Sequence, residues 1–405
     1  MHRSIAHGQS GTCLAGHGIE MTFWDVLIIG GGPAGGLAAL DCAKHGLRVL
    51  LVEQRSFPRW KVCGCCFNNQ AQAILNSRGQ NDLIVKSGGR ALQSLRLGLR
   101  GREATLALPN GYSLSRERFD QALIQAAIKA GATARFQVTA NVEMASPGYR
   151  RVRLKDQQSG ATSHVKARVV LVAAGLTQRC LPKNEAGQSS IRQQSRHGAG
   201  CVVDDDSNHY PVGAIHMAIG DQGYVGLVRR EDGLLNLAGA FDRDSLSKGQ
   251  GAVDAAQHVL NQAGFPVPAA LRQGQRWQLT AALSRSANVV AGERFLVMGD
   301  AAGYVEPFTG EGMAWALTAG AAAAPFVLEG LEQWSDDLET RWKTTLQLHI
   351  GRRQTVCRTL SSVLKRPIPT TLLFELVNRW PAMAEQIISS LNEAKLPSPT
   401  GEPCL

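Results

Sequence analysis

The run Gly30-Gly31-Gly32-Pro33-Ala34-Gly35 limits what this chain can fold into more than any other feature. It follows a short apolar segment, Asp25 to Ile29, with the character of a buried parallel strand. Ala34 to Lys44 has helical composition, and Gly46 stands where a helix C-cap belongs. Leu47 to Val52 is a second apolar strand, ending at Glu53. Within this strand–turn–helix–strand unit Gly30, Gly32 and Gly35 satisfy G-x-G-x-x-G. Gly30 permits the tight turn, Gly32 lets backbone approach a pyrophosphate, and Gly35 lets helix and strand pack closely. The helix N-terminus turns its partial positive charge on the phosphates. Glu53 can accept hydrogen bonds from the ribose hydroxyls. A bare glycine triplet is weak evidence, and a purely structural turn is its alternative; the strand, the helix and Glu53 make it specific for a dinucleotide.

That unit does not separate NAD from FAD; a distant segment does. Arg294 to Gly312 reads RFLVMGDAAGYVEPFTGEG, a buried strand (Phe295 to Met298), then Gly299-Asp300, then a second glycine-rich loop. An acidic residue just past a buried strand suits a polyol, here the ribityl chain of FAD. Pro307, Gly310 and Gly312 let backbone come close to a flat ring. A helix starting near Glu311 aims its positive end at that ring and stabilises the anion of a reduced flavin. A helix cap plus loop is the plainer reading of the same residues.

Four segments together resemble the flavoprotein superfamily of p-hydroxybenzoate hydroxylase, most of all its geranylgeranyl-reductase-like branch. They are DVLIIGGGPAGG, FPRWKVCG at 57–64, LSRERFDQALIQAA at 114–127 and GDAAGYVEPFTGEGMAWAL at 299–317. The resemblance covers about residues 24 to 320. It implies that Gly30, Gly32, Gly35 and Glu53 bind the ADP portion and that Arg55 and Arg116 contact the pyrophosphate or ribityl region. It further implies that Asp300 holds the ribityl chain and that Pro307, Gly310 and Gly312 border the isoalloxazine. The family implies FAD, reduced by NAD(P)H or another donor, and a hydrophobic or aromatic substrate. The chain departs from it in places. Where hydroxylases carry Asp-Gly after the strand matching Val169 to Val172, this chain has Ala174-Gly175, which puts hydroxylase-style NADPH handling in doubt. Gly226 and Val228 replace the tryptophan and phenylalanine expected in the reductase branch, so substrate identity does not carry over. Halogenases place a serine where Gly310 stands and carry a W-x-W-x-I-P segment that is missing here.

The fold class expected is α/β: a Rossmann-type FAD-binding domain, an interleaved, mainly antiparallel sheet domain over the substrate, and a C-terminal helical region. Residues 1–20 form a loose leader, with Met21 as a candidate start. The FAD-binding domain takes 21–190 with inserted strands and resumes at 286–330. The substrate domain takes 191–285, where Tyr224 to Arg230 and Leu234 to Ala240 flank Asp232-Gly233 as a hairpin. The C-terminal helices and tail take 331–405.

Composition narrows the partners. The net charge of +10 favours an anionic partner such as a dinucleotide, an acidic substrate or a phospholipid face, while no nucleic-acid module is visible. Nine cysteines in 405 residues argue for free thiols in a reducing compartment. The longest apolar stretch, Ala314 to Leu328, is interrupted by Pro325, so the chain is expected to be cytoplasmic or at most surface-associated. Arg352, Arg353, Lys365 and Arg366 near apolar helical segments could face a membrane, although a solvated helix face explains them too.

Cys63, Cys65 and Cys66 lack the second pair that a zinc site needs, so no metal is expected. Cys63 matches the branch's Cys-Gly beside the flavin and is the candidate catalytic thiol, with Lys61 and Arg59 placed to lower its pKa; a small side chain in a tight loop is the bland alternative. His216 and Tyr224 fall in the domain expected to cover substrate. The activity expected is hydride exchange between flavin and an isoprenoid or polyketide-like molecule. The alternatives are a flavin monooxygenase of aromatic substrates and a flavin-binding redox protein without turnover. The oligomeric state is left open.

Overall fold

The computed structural model of the chain describes residues 22–186, 190–247, 249, 251–272, 275–306 and 308–391. The leader, Met21, Pro307 and the tail after Leu396 lie outside the described residues.

The first sheet grows from the apolar strand Phe23–Ile29, whose last four residues are buried on both faces as a central parallel strand requires. Val49–Glu53 pairs with it on one side and Thr162–Val172 on the other, both parallel, with Val26 in register with Val49 and Val169. Thr133–Phe136 continues the sheet beyond Val49–Glu53, and Phe295–Val297 continues it beyond Thr162–Val172. The chain therefore builds outward to one side and then to the other, leaving a switch point between Phe23–Ile29 and Thr162–Val172 at the carboxyl ends of the strands. The strands Val138–Ser146 and Tyr149–Asp156 extend the same sheet as an antiparallel meander, Tyr149–Asp156 alternating buried and exposed.

The second sheet has eight strands, with Gln278–Ala282 at one end and Cys66–Phe67 at the other. The hairpin around Asp232-Gly233 lies at its centre, Gly233 adopting a φ of +85°. The sheet also draws in Arg90–Leu99 and Arg102–Ser113 from far upstream, and Arg90–Leu99 pairs in parallel with Ala214–Gly220. Cys66–Phe67 pairs with Tyr112 and Ser113, which ties the 57–69 loop to the sheet edge.

Helices Pro33–Lys44 and Gly312–Glu332 cross so tightly that a Cβ on Gly320 would sit 2.5 Å from the Ala34 carbonyl oxygen. Pro325 does not interrupt the second of these, contrary to the expectation from composition. The carbonyl that a proline at 325 leaves without its i+4 donor belongs to Ala321, and Arg78 Nη2 donates to that oxygen at 2.8 Å while Arg78 Nε holds Asp41 at 2.7 Å. The uninterrupted 21-residue helix is long and apolar enough to cross a membrane, but its most apolar window is 78% buried inside the protein, as in a core helix. Helices Arg352–Val363, Pro367–Arg379 and Pro381–Leu391 then fold back over the second sheet. Glu385 Oε1 accepts from the Ala107 N–H at 2.7 Å, and the Arg102 guanidinium lies 5.4 Å from the Phe374 ring centroid while pairing with Glu375.

Candidate functional site

The glycine turn closes over the switch point by backbone contact. A Cβ on Gly30, whose φ is +107°, would meet the Ala173 oxygen at 2.3 Å, and one on Gly35 would meet the Gly30 oxygen at 1.9 Å. Gly32 differs. A side chain there would find open space, with Arg116 Nη2 and Arg59 Nη2 the nearest atoms at 3.7 and 3.9 Å. Gly32 also caps Pro33–Lys44 without any side-chain acceptor, so the first N–H groups of that helix point outward beside two guanidinium groups. Open space, an uncapped helix end and two cations suit a pyrophosphate, and the chain's residues fit the ADP half of FAD.

Glu53 is buried, and its carboxylate orders the turn: Oε2 accepts from the Gly31 N–H and Oε1 from the Arg55 N–H, both at 3.0 Å. Oε1 keeps a second lone pair for a ribose hydroxyl, while Oε2 also accepts from a guanidinium. Arg55 contributes its backbone, while its side chain is exposed. The arginine that the fold brings to Glu53 is Arg59, at 3.4 Å, and Arg59 also reaches Asp120 at 3.3 Å. Asp120 in turn takes two hydrogen bonds from buried Arg116, at 2.9 and 2.7 Å. Sequence reasoning missed Asp120, although it stands four residues beyond Arg116 on the helix Arg116–Lys129 and so shares its face. Arg59 lies in an irregular loop, where no periodicity could single it out.

The second loop arrives at the same place. Gly299–Ala302 is a short turn of 3-10 helix after Phe295–Val297, and a Cβ on Gly299 would touch the Ala34 Cβ at 3.1 Å. Asp300 stands 3.9 Å from Lys61 Nζ. Gly310 has a φ of +74°, and Gly312 opens the helix Gly312–Glu332. Glu311, at that helix's N-cap, is buried; its carboxyl takes a 2.9 Å hydrogen bond from Trp315 Nε1, faces Arg353, and is pushed up by burial.

Gly32, Arg116, Asp300, Gly310 and Gly312 all border one cavity of about 810 Å³. Its floor is the second sheet, through side chains such as Leu97, Leu106, Met217 and Tyr224, and its roof is the C-terminal helices, through Leu360, Phe374 and Met383. The volume lies in the upper part of the range for small-molecule sites. Away from the two glycine loops the walls are chiefly apolar.

Cys63 is half-buried and lines the cavity. Its thiol is held below the usual range first by hydrogen bonding from the Cys65 thiol, then by the positive charge of Arg116 and by the Cys65 N–H, 3.5 Å from the sulfur. Lys61 and Arg59 were expected to supply that effect, and they do not: Lys61 faces Asp300, and Arg59 is turned to Glu53 and Asp120. The Cys63 carbonyl accepts from Asn236 Nδ2 at 2.9 Å, which pins the loop to the second sheet. Hydrogen bonding to Cys63 and then burial raise the Cys65 thiol, and burial raises that of Cys66. Tyr224 lines the cavity and packs edge-on against Phe308 at 5.0 Å. His216 turns to the opposite face of its strand, between Tyr210 and Phe265, where burial lowers its pKa to about 4. It is a packing residue and borders no part of the cavity.

Residues 24–325 match the FAD binding domain family. The chain is 26% identical over 343 residues to the digeranylgeranylglycerophospholipid reductase of Thermoplasma acidophilum, a match that covers 77% of this chain and 80% of that protein. Among solved structures, the flavin-dependent brominase Bmp2 superposes with a TM-score of 0.74 at 17% identity, covering 92% of this chain and 94% of its own. The p-nitrophenol 4-monooxygenase PnpA from Pseudomonas putida DLL-E4 gives 0.74 at 16% identity, covering 93% and 100%. At such identities these structures share a fold and carry no activity across.

Proposed function

The chain belongs to the FAD binding domain family, and on that premise we propose that it is an FAD-dependent reductase or dehydrogenase of a hydrophobic, isoprenoid or polyketide-like small molecule, with NAD(P)H as the reductant. The observation that carries this reading is the single cavity, polar where the two glycine loops meet and apolar from there to the C-terminal helices. The reductase relative, aligned over most of both chains, supports it.

Bound FAD supplies two-electron chemistry at its ring system. The chain's own residues do the rest. The helix end at Pro33, with Arg116 and Arg59, holds the pyrophosphate; Glu53 takes the ribose; Asp300 takes the ribityl chain. The N-terminus of Gly312–Glu332 stabilises negative charge on the ring. The apolar walls exclude water and orient the substrate. Cys63, lining the cavity with its pKa lowered, positions the substrate or moves a proton.

A second reading, hydroxylation of an aromatic substrate, draws on the fold shared with PnpA. Anaerobic turnover separates the two, because reduction of a double bond proceeds without dioxygen and hydroxylation stops. The purified protein is expected to be yellow and to bleach with NADPH under anaerobic conditions. A colourless protein that takes up no flavin overturns the proposal. Asp300→Ala should lower flavin retention about tenfold, the loss of roughly one charge-assisted hydrogen bond; full retention removes Asp300 from the ribityl contact.

A further inference from the structure

The C-terminal helices leave an apolar face on the outside of the protein. On Pro367–Arg379, Ile368 and Leu372 are 74% and 64% exposed, one turn apart and therefore side by side. Trp380 follows at 51%, with the Arg379 guanidinium 5.8 Å from its ring centroid. This face runs into the mouth of the cavity. Val356, Leu376 and Met383 are each 41% exposed and each also lines the cavity. They sit on three successive helices, each of which brings an apolar side chain to the rim, with Thr355 and Thr359 exposed beside Val356.

Charge around the face is one-sided. Arg366 and Arg379 are exposed at the two ends of Pro367–Arg379. The acidic residues of the same helical pair are engaged instead, though not buried: half-exposed Glu375 pairs with Arg102, and Glu385 accepts from the Ala107 N–H. An exposed apolar stripe, basic flanks and a tryptophan at the helix end are the properties of a segment that lies in a membrane interface.

We propose that the helical pair 367–391 docks on an anionic lipid surface and seats the cavity mouth against it. A lipid-dissolved substrate then enters through Val356, Leu376 and Met383 without crossing water. The substrate route rests on the reductase reading; the docking rests on the exposed residues alone.

The test is cosedimentation of the full-length, flavin-loaded protein with phosphatidylcholine vesicles, with and without phosphatidylglycerol. The protein is expected to pellet with the anionic vesicles. The double variant Ile368→Glu/Leu372→Glu should reduce binding by about tenfold. Arg366→Gln/Arg379→Gln should weaken binding by about tenfold on anionic vesicles only, with the difference fading at high salt. All four positions are exposed, so unchanged flavin absorbance and melting temperature certify the fold of each variant. The proposal is overturned if the parent stays in the supernatant with every vesicle, or if the double glutamate variant binds as well as the parent. A concentration-dependent dimer that this variant loses assigns the face to a second copy and overturns it equally. Vesicle binding needs no turnover, so its outcome is independent of the activity assay.

Discussion

Around Gly35 an added methyl group has nowhere to go, because it would sit 1.9 Å from a backbone oxygen in the turn itself. Around Gly226, which borders the other half of the same cavity, the nearest obstacle is the Met217 thioether at 2.9 Å, the mobile end of a flexible side chain. The nucleotide half is thus shaped by backbone and by interlocked charges. The substrate half is shaped by side-chain volume that can shift. Such a division makes the turn intolerant of added volume and lets the sheet wall yield to it.

The sharpest way to break that contrast is Gly35→Ala. It is expected to abolish flavin binding and to cost more than about 3 kcal/mol of stability, read by absorbance and thermal unfolding. Near-normal flavin content would mean that the turn is looser than its contacts indicate. Asp120→Ala comes next, with an expected cost of about 3–5 kcal/mol in denaturant unfolding, because Arg116 and Arg59 lose the carboxylate between them.

The substrate sheet offers a smaller, pH-dependent effect. His216 has its pKa lowered from 6.5 to about 4, so below about pH 6.5 the unfolded chain binds a proton that the folded chain refuses, and stability falls as pH drops toward 4. His216→Phe keeps the edge contacts and removes the proton. Its stability advantage over the parent should widen by about 2 kcal/mol between pH 8 and pH 5, in unfolding curves at the two values; parallel pH profiles would mean that the imidazole is solvated. Least of all, Gly226→Ala should keep the flavin and change stability by less than about 1 kcal/mol, while altering KM for bulky substrates. A loss comparable with that of Gly35→Ala would erase the distinction between the halves.

The same division runs through what could be read from the sequence. The strand, turn and helix from Phe23 to Lys44 depend on local periodicity and on glycines whose geometry is intrinsic, and the structure follows them closely. The hairpin at Asp232-Gly233 was legible for the same reason. The parallel pairing of Arg90–Leu99 with Ala214–Gly220 leaves no local trace, since each strand alone shows only alternation. Arg59 was read as a neighbour of Cys63, because sequence proximity gives no hint that the loop turns its guanidinium to Glu53. The continuity of the helix through Pro325 depends on Arg78, a donor from another helix end that no window of sequence contains. Composition suggested a break there; tertiary hydrogen bonding repairs it.

The backbone crossing of Gly320 with Ala34 carries a mechanical consequence. The helices Pro33–Lys44 and Gly312–Glu332, whose amino ends both border the cavity, act as one splint, so neither can pivot without dragging the other.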